Sequence, residues 1–260
     1  VTTAAKILKE LRSLGSAQTR KTYSRHGVTG PQFGVSYANL GKLKKRLGTD
    51  HALARQLWES GNHDARVLST MIADASLLDA RTLDAWVSTV VDNHVLAAAF
   101  ADLASRTPSA QERATLWCQS KNEWIGATGW NLFSRLAQAE DILDDAALDA
   151  ALRTIERTIE GSANRVRYSM NSALIGIGVR GGAWAKKATA VAGRIGKVEV
   201  DHGQTSCKTP DAAAYIKKTL AYRKKKKAAK KKKAAKKKKA AKKKKRPKGV
   251  SAGSKKKSPA

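Results

Sequence analysis

Three places in the chain gather side chains that can do chemistry. Asp92, Asn93 and His94 put a carboxylate, an amide and an imidazole in a row at a predicted helix start. A carboxylate there can stabilise developing positive charge or act as an acid or base, and a histidine can move a proton near neutral pH. Asp92 and His94 are therefore the catalytic candidates. The plainer reading is an N-cap followed by a partly exposed imidazole. His63, Asp64 and Arg66 follow the break Ser60-Gly61-Asn62. His63 can meet an anion, while Asp64 complements a helix N-terminus; capping with an ion pair explains the same residues. Asp201, His202, Thr205, Cys207 and Lys208 crowd a short polar segment. A Cys–His pair is one reading, but neighbours in sequence are poor evidence for it. An Asx-type turn leading into a helix at Pro210 is preferred.

Other chemistries lack their residues. Gly176, Gly178, Gly181 and Gly182 follow no strand, so they form no nucleotide cradle and mark close helix packing instead. No pair of histidines has metal-ligand spacing, and no nucleophile elbow occurs. Cys118 and Cys207 are the only cysteines, which match neither a disulfide framework nor a zinc site. No metal or cofactor is expected, and a reducing, cytoplasmic compartment is. No apolar run reaches the ~18–20 residues of a membrane helix. The N-terminal segment reads as an amphipathic helix and not as a signal peptide. Val1 fits a GUG start or a trimmed chain.

A second set of residues suits an anionic partner. Arg25 and His26 lie in a glycine-rich turn, and Lys44, Lys45 and Arg46 form a basic helix end. Asn164, Arg165 and Arg167 open a helix, with Asn171 two turns on. Such groups reach phosphates and sugars, although dipole complementarity or a solvated helix start accounts for them too. Six tryptophans mostly fall on core positions; Trp124 and Trp130 are the candidates for stacking on bases. His63, Arg66, Asn93 and His94 complete the predicted contact set.

The C-terminal 38 residues, 223–260, hold 22 basic residues and no acidic one, so only +8 of the net charge of +30 belongs to residues 1–222. The unit KKKKAA repeats with period six, and Lys224, Lys230, Lys236 and Lys242 begin successive copies. That period matches no amphipathic helix, and mutual repulsion predicts disorder in water. A dense polyanion would neutralise it, and partial helix could then form. DNA is the expected partner, with RNA or an acidic membrane surface as competitors. The repeats resemble linker-histone-like tails.

The elements that must position these groups are helices. Residues 3–14 place Ile7, Leu8, Leu11 and Leu14 on one face. Residues 15–36 are turn-rich, and a helix is predicted from about Ser36 to Leu47. Beyond it, helix follows helix. Ser109 with Glu112, and Ser120 with Glu123, have capping-box spacing, and Thr209 precedes Pro210 as a cap. Helix pairs begin near Thr49, Leu83, Ser109, Ala146 and Gly182, a spacing near the ~40 residues of helical solenoids. The reading is an all-α chain: a helical-repeat domain over 1–222 and a Lys/Ala-rich tail over 223–260. A non-repeating bundle fits the periodicity equally well.

Six local words go further: TYSRHGVTGPQFGVSYANLGKLKKRL (22–47), LARQLWESGNHDARVLSTMIAD (53–74), DNHVLAAAFADL (92–103), EWIGATGWNLFSRLA (123–137), NRVRYSMNSALIGIG (164–178) and VDHGQTSCKTPDAAAYIKK (200–218). Together they resemble the DNA alkylation repair family, the AlkD-like glycosylases built from HEAT-like repeats. The resemblance covers about residues 20–220. It implies a HEAT-like solenoid with a concave basic surface that grips duplex DNA. It also implies excision of N3- or N7-alkylated purines by a carboxylate flanked by tryptophans, with an arginine on the backbone. The family's catalytic word, Trp-x-x-x-Asp, falls on His94 to Ala98, so His94 stands at the tryptophan and Ala98 at the carboxylate. The arginine position falls on Ala127 and a second tryptophan near Ser172. The expectation is a monomeric, nucleoid-associated protein that binds duplex or branched DNA with the family's catalytic set replaced. The alternatives are a glycosylase with a rebuilt site and a DNA-compacting protein dominated by its tail.

Overall fold

Capping chemistry sets where the helices begin. Thr3, Ser16, Ser36, Asp50, Asn62, Asp79, Asn93, Asn122 and Asp144 each accept a backbone N–H two or three residues ahead. Each such cap contributes about 1 kcal/mol. The computed structural model describes residues 2–90, 93–139 and 141–244, without the side chains of Lys231 and 234–244. Among the described residues all regular structure is helical. The chain opens with α1 (Ala4–Leu14), α2 (Ala17–Arg25) and α3 (Tyr37–Leu47). Helix pairs follow: α4 (His51–Glu59) with α5 (His63–Ile72), α6 (Ala80–Val87) with α7 (His94–Ala104), and α8 (Ala110–Cys118) with α9 (Glu123–Ala137). Then come α10 (Asp145–Thr158) with α11 (Asn164–Gly178), α12 (Gly182–Ile195) and α13 (Ala212–Lys244).

The chain divides into two units, Val1–Lys217 and the segment from Lys218. In the first, α3, α5, α7, α9 and α11 stack in series, and α4, α6, α8 and α10 pack alongside their partners. Those outer helices are amphipathic: α10 buries only Leu148, Ala151, Leu152 and Ile155. The inner α9 and α11 are buried on most sides, which is why their apolar pattern lacks a clear stripe. Glycine permits the closest approaches. A Cβ on Gly129 would lie 2.5 Å from the Cys118 nitrogen of α8, and one on Gly176 would lie 2.8 Å from the Ser134 carbonyl of α9. An aromatic column fills the core between α4 and α8: Trp58 stacks on Trp86 at 4.4 Å, and Phe100 bridges them to Trp117.

Several sequence expectations change. The turn-rich segment contains α2, whose Ser16 cap and Gln18–Lys21 stretch suffice for two turns. Ser109 makes no capping bond, its backbone lying outside the extended cap conformation at φ −88° and ψ 10°, and Glu112 pairs with Arg113. Asn122, not Ser120, caps α9, which frees Glu123 to accept the Arg165 backbone N–H at 2.7 Å. Asp211 caps the helix expected to start at Pro210, by accepting from Ala214. α13 continues through Lys244. Ile216 (1% exposed), in its second turn, packs against Gly178.

Candidate nucleic-acid interface

The inner helices of the first unit line a cavity of about 770 Å³. Tyr37 and Lys44 come from α3, and Thr70 and Met71 from α5. α7 brings His94, Ala97, Ala98 and Asp102, with Arg106 just after it. α9 adds Ala127, Asn131 and Arg135; α11 adds Arg165, Tyr168 and Ser169. The wall is small and apolar where the alanines lie. Lys44, Arg106, Arg135 and Arg165 supply positive charge around it. Among the described residues of this lining Asp102 is the one carboxylate, and it is bound by Arg135 at 2.8 Å. Arg106 is tied by its guanidinium to the carbonyls of Asp102 and Thr70. Net positive charge over an apolar wall suits a ligand with anionic edges.

His94 is the first residue of α7 and sits at one end of this groove. Its imidazole lies 5.6 Å from that of His26, centre to centre. Burial, then Arg165 and His26, pushes its pKa down to about 4, so it is neutral at pH 7. His202, in the loop before α13, is also held toward its neutral form by burial and Arg165. Its Nε2 is 3.0 Å from Thr209 Oγ1, and Asp201 closes an Asx turn onto the Gly203 N–H. The loop is thus the structural turn the sequence suggested, and Cys207 is exposed beside it.

The predicted contact residues divide sharply. Lys44, His94 and Arg165 line the groove. His26 adjoins it through His94, and Arg25 is exposed at the end of α2. Lys45 and Arg46 are exposed outside the lining, and Arg46 is paired with Glu10 at 2.5 Å. Lys224 and Lys230 are exposed on α13, while the side chains of Lys236 and Lys242 lie outside the described set. Asp92 lies outside the described residues altogether.

Eight others lie elsewhere. His63 and Asn93 are buried against each other, with Asn93 Nδ2 2.7 Å from His63 Nδ1. Arg66 is folded inward, donating to the carbonyls of Trp58 and Thr89 and lying over the Trp58 ring. Trp130 is core, and the buried Asn171 donates to the Pro210 carbonyl. Asn164 clasps the backbone of Asp201 in both directions, at 2.8 Å each way. Trp124 is half-buried and outside the lining. Arg167, two residues and about 200° around α11 from Arg165, faces a separate cavity with Glu156, Glu160 and Arg194. Sequence periodicity cannot separate such residues, since polar side chains at helix starts serve caps and ligands alike. Asp102, Arg106, Asn131, Arg135 and Tyr168 were missed. The signal for four of them was their 3/4 register with Ala98 and Ala127.

The model of the family described as "DNA alkylation repair enzyme" matches residues 7–216. The chain belongs to that family. Among curated relatives of this chain is the uncharacterized Lin0241 of Listeria innocua, 29% identical over 80% of this chain and 93% of its own. Lmo0209 of Listeria monocytogenes is 28% identical over the same shares. A solved structure, described as "a new family of proteins related to the HEAT-like repeat DNA glycosylases with affinity for branched DNA structures", superposes with a TM-score of 0.78. It is 25% identical and covers 85% of this chain and 95% of that one. The fold of this chain is therefore the HEAT-like helical-repeat fold. Three positions that the sequence resemblance marked, His94, Ala98 and Ala127, do meet on one cavity. The fourth does not: Ser172 turns its hydroxyl to the Tyr168 carbonyl.

Among the described residues no group of three or more His, Cys, Asp or Glu side chains is placed to hold a metal ion. No described helix is long and apolar enough to cross a membrane.

Proposed function

We propose that this chain binds branched or duplex DNA in the groove of its helical repeats and does not excise alkylated bases. One observation carries the reading: Ala98 lines the groove at the position to which the family pattern assigns its carboxylate, and Asp102, the carboxylate that the lining does contain, is neutralised by Arg135. An alanine offers nothing to a developing oxocarbenium ion, and loss of such a group commonly lowers a rate by ~10²–10³. His94 is no substitute, because a buried neutral imidazole carries no negative charge. Lys44, Arg106 and Arg165 leave the groove net positive and suited to phosphates. The affinity of the similar solved protein for branched DNA supports the choice of ligand. The lysine-rich segment would add sequence-independent contacts and residence on DNA.

The test has two arms. The pure full-length chain should prefer a four-way junction over linear duplex of equal length, at a salt concentration that weakens the lysine contacts. It should release no alkylpurine from methylated duplex above background. Equal binding to both DNAs would overturn the structural preference, and base release would restore the enzyme.

Asp102 favours the second reading, a glycosylase with a rebuilt site. It lies one helical turn, about 6 Å, beyond Ala98 on α7. Its replacement by Asn should then abolish any base release that is seen.

A further inference from the structure

Four basic side chains from four distant parts of the first unit meet at the His94 end of the groove. His26 closes α2, His94 opens α7, Arg165 lies in the first turn of α11, and His202 stands in the loop before α13. The rings of His26 and His94 are 5.6 Å apart, and Tyr168 meets His202 edge-on at 5.5 Å. The loop carrying His202 is held by Asn164 and reaches the end of α2: a Cβ on Gly203 would lie 3.7 Å from the Arg25 carbonyl.

Among the described residues, the charged and titratable side chains acting on His94 are Arg165, His26 and His202, all of them basic, and the His26 backbone hydrogen-bonds to it. Asp201 acts on His202. His94 Nδ1 is shut away from solvent with no partner. Basic groups gathered around His94, with no described carboxylate acting on it, disfavour its charged form, and its unpartnered buried nitrogen costs stability. Such a cluster, assembled from residues 26 to 202, makes sense as a receptor for an anion. Several N–H donors converging from different directions match the several acceptor oxygens of a phosphate better than the two of a carboxylate.

We propose that His26, His94, Arg165 and His202 form a phosphate-binding site at the end of the groove, occupied by a phosphate group of the bound DNA. The site rests on the DNA-binding reading of the groove. Its own signature is a proton: the neutral His94 becomes cationic as the phosphate enters, so binding takes up a proton and tightens as pH falls. The phosphate comes from the backbone at a branch or from a strand end.

The test follows the imidazole nitrogens of the full-length chain by NMR across a pH titration, which is tractable with five histidines. Spectra are compared for the chain alone, with excess inorganic phosphate, and with a four-way junction bearing either 5′-phosphate or 5′-hydroxyl ends. The His94 midpoint is expected to rise by about two pH units on addition of inorganic phosphate or junction. A rise with both junctions identifies a backbone phosphate; a rise with the phosphorylated junction alone identifies a strand end. Junction affinity should tighten by about twofold between pH 8 and pH 6 and by about tenfold between pH 8 and pH 5, and His94→Gln and Arg165→Ala should flatten that dependence. If those variants do not fold, the titration of the unaltered chain decides. An unmoved His94 in a chain that binds the junction overturns the site and leaves the groove reading intact. A His94 that responds to inorganic phosphate in a chain without junction preference supports the site and overturns the groove reading.

Discussion

Asn93 caps α7 with its side-chain oxygen while its side-chain nitrogen lies 2.7 Å from Nδ1 of His63, at the start of α5. The oxygen accepts the N–H groups of Val95 and Leu96, so the nitrogen must be the donor to His63. His63 is therefore the Nε2–H tautomer, and burial holds it neutral. One amide thus joins two consecutive inner helices. Asn93→Ala removes a cap and leaves the His63 nitrogen unpartnered. The expected loss is about 2–4 kcal/mol in urea unfolding. Groove ligands do not touch Asn93, so the folded fraction should bind DNA as before. A loss under about 0.5 kcal/mol would mean that the two helix starts are not coupled this way.

The buried carboxylate of Asp64 holds the approach to α3. Its two oxygens accept the backbone N–H groups of Phe33, Gly34 and Val35, at 2.6, 3.1 and 2.8 Å. An amide cannot accept on both atoms, and its NH₂ would face an N–H. Asp64→Asn should therefore destabilise the first unit by about 3 kcal/mol, although it alters one atom. Thermal unfolding followed by circular dichroism measures it, and an unchanged midpoint would contradict the role.

Acid should weaken the fold through its histidines. His94 titrates near 6.5 when unfolded and at about 4 when folded, and burial lowers His63 in the same direction. The unfolded chain then binds more protons than the folded one between these values. Stability is complete above pH 6.5 and declines as pH falls toward 4. The melting temperature should drop between pH 7 and pH 5, and His94→Gln should reduce the drop. An identical pH profile in that variant would show that His94 does not contribute.

The helices and their pairing were readable in the sequence because caps and 3/4 spacing are local. The expected pair starts at Thr49, Leu83, Ala146 and Gly182 lie within three residues of α4, α6, α10 and α12. Ala98 and Ala127 were readable as groove residues only through the family pattern, since an alanine has no chemistry to advertise. The buried roles of His63, Arg66 and Asn171 were not readable. Each is a polar residue whose partners, Asn93, the Thr89 carbonyl and the Pro210 carbonyl, lie 23 to 39 positions away. The meeting of His26, His94 and His202 depends on contacts across most of the first unit, which spacing does not encode.

The lysine-rich segment and the groove should separate by salt. The segment from Arg223 carries 22 cations, and its described side chains are all exposed. Each phosphate neutralised adds about 0.9 to the slope of log affinity against log salt. Full-length chain engaging ~8 phosphates through this segment should lose ~10³–10⁵ in affinity between about 50 and 200 mM salt. The first unit ends at Lys217, so a chain stopped at Tyr222 keeps every packed helix of that unit. Its slope should be shallower by several units and its affinity for linear duplex far lower. Its preference for a junction over duplex should persist, because the groove cations Lys44, Arg135 and Arg165 remain. If that preference vanished with the lysines, the segment and not the groove would be the recognition element, and DNA compaction would become the better account of the protein.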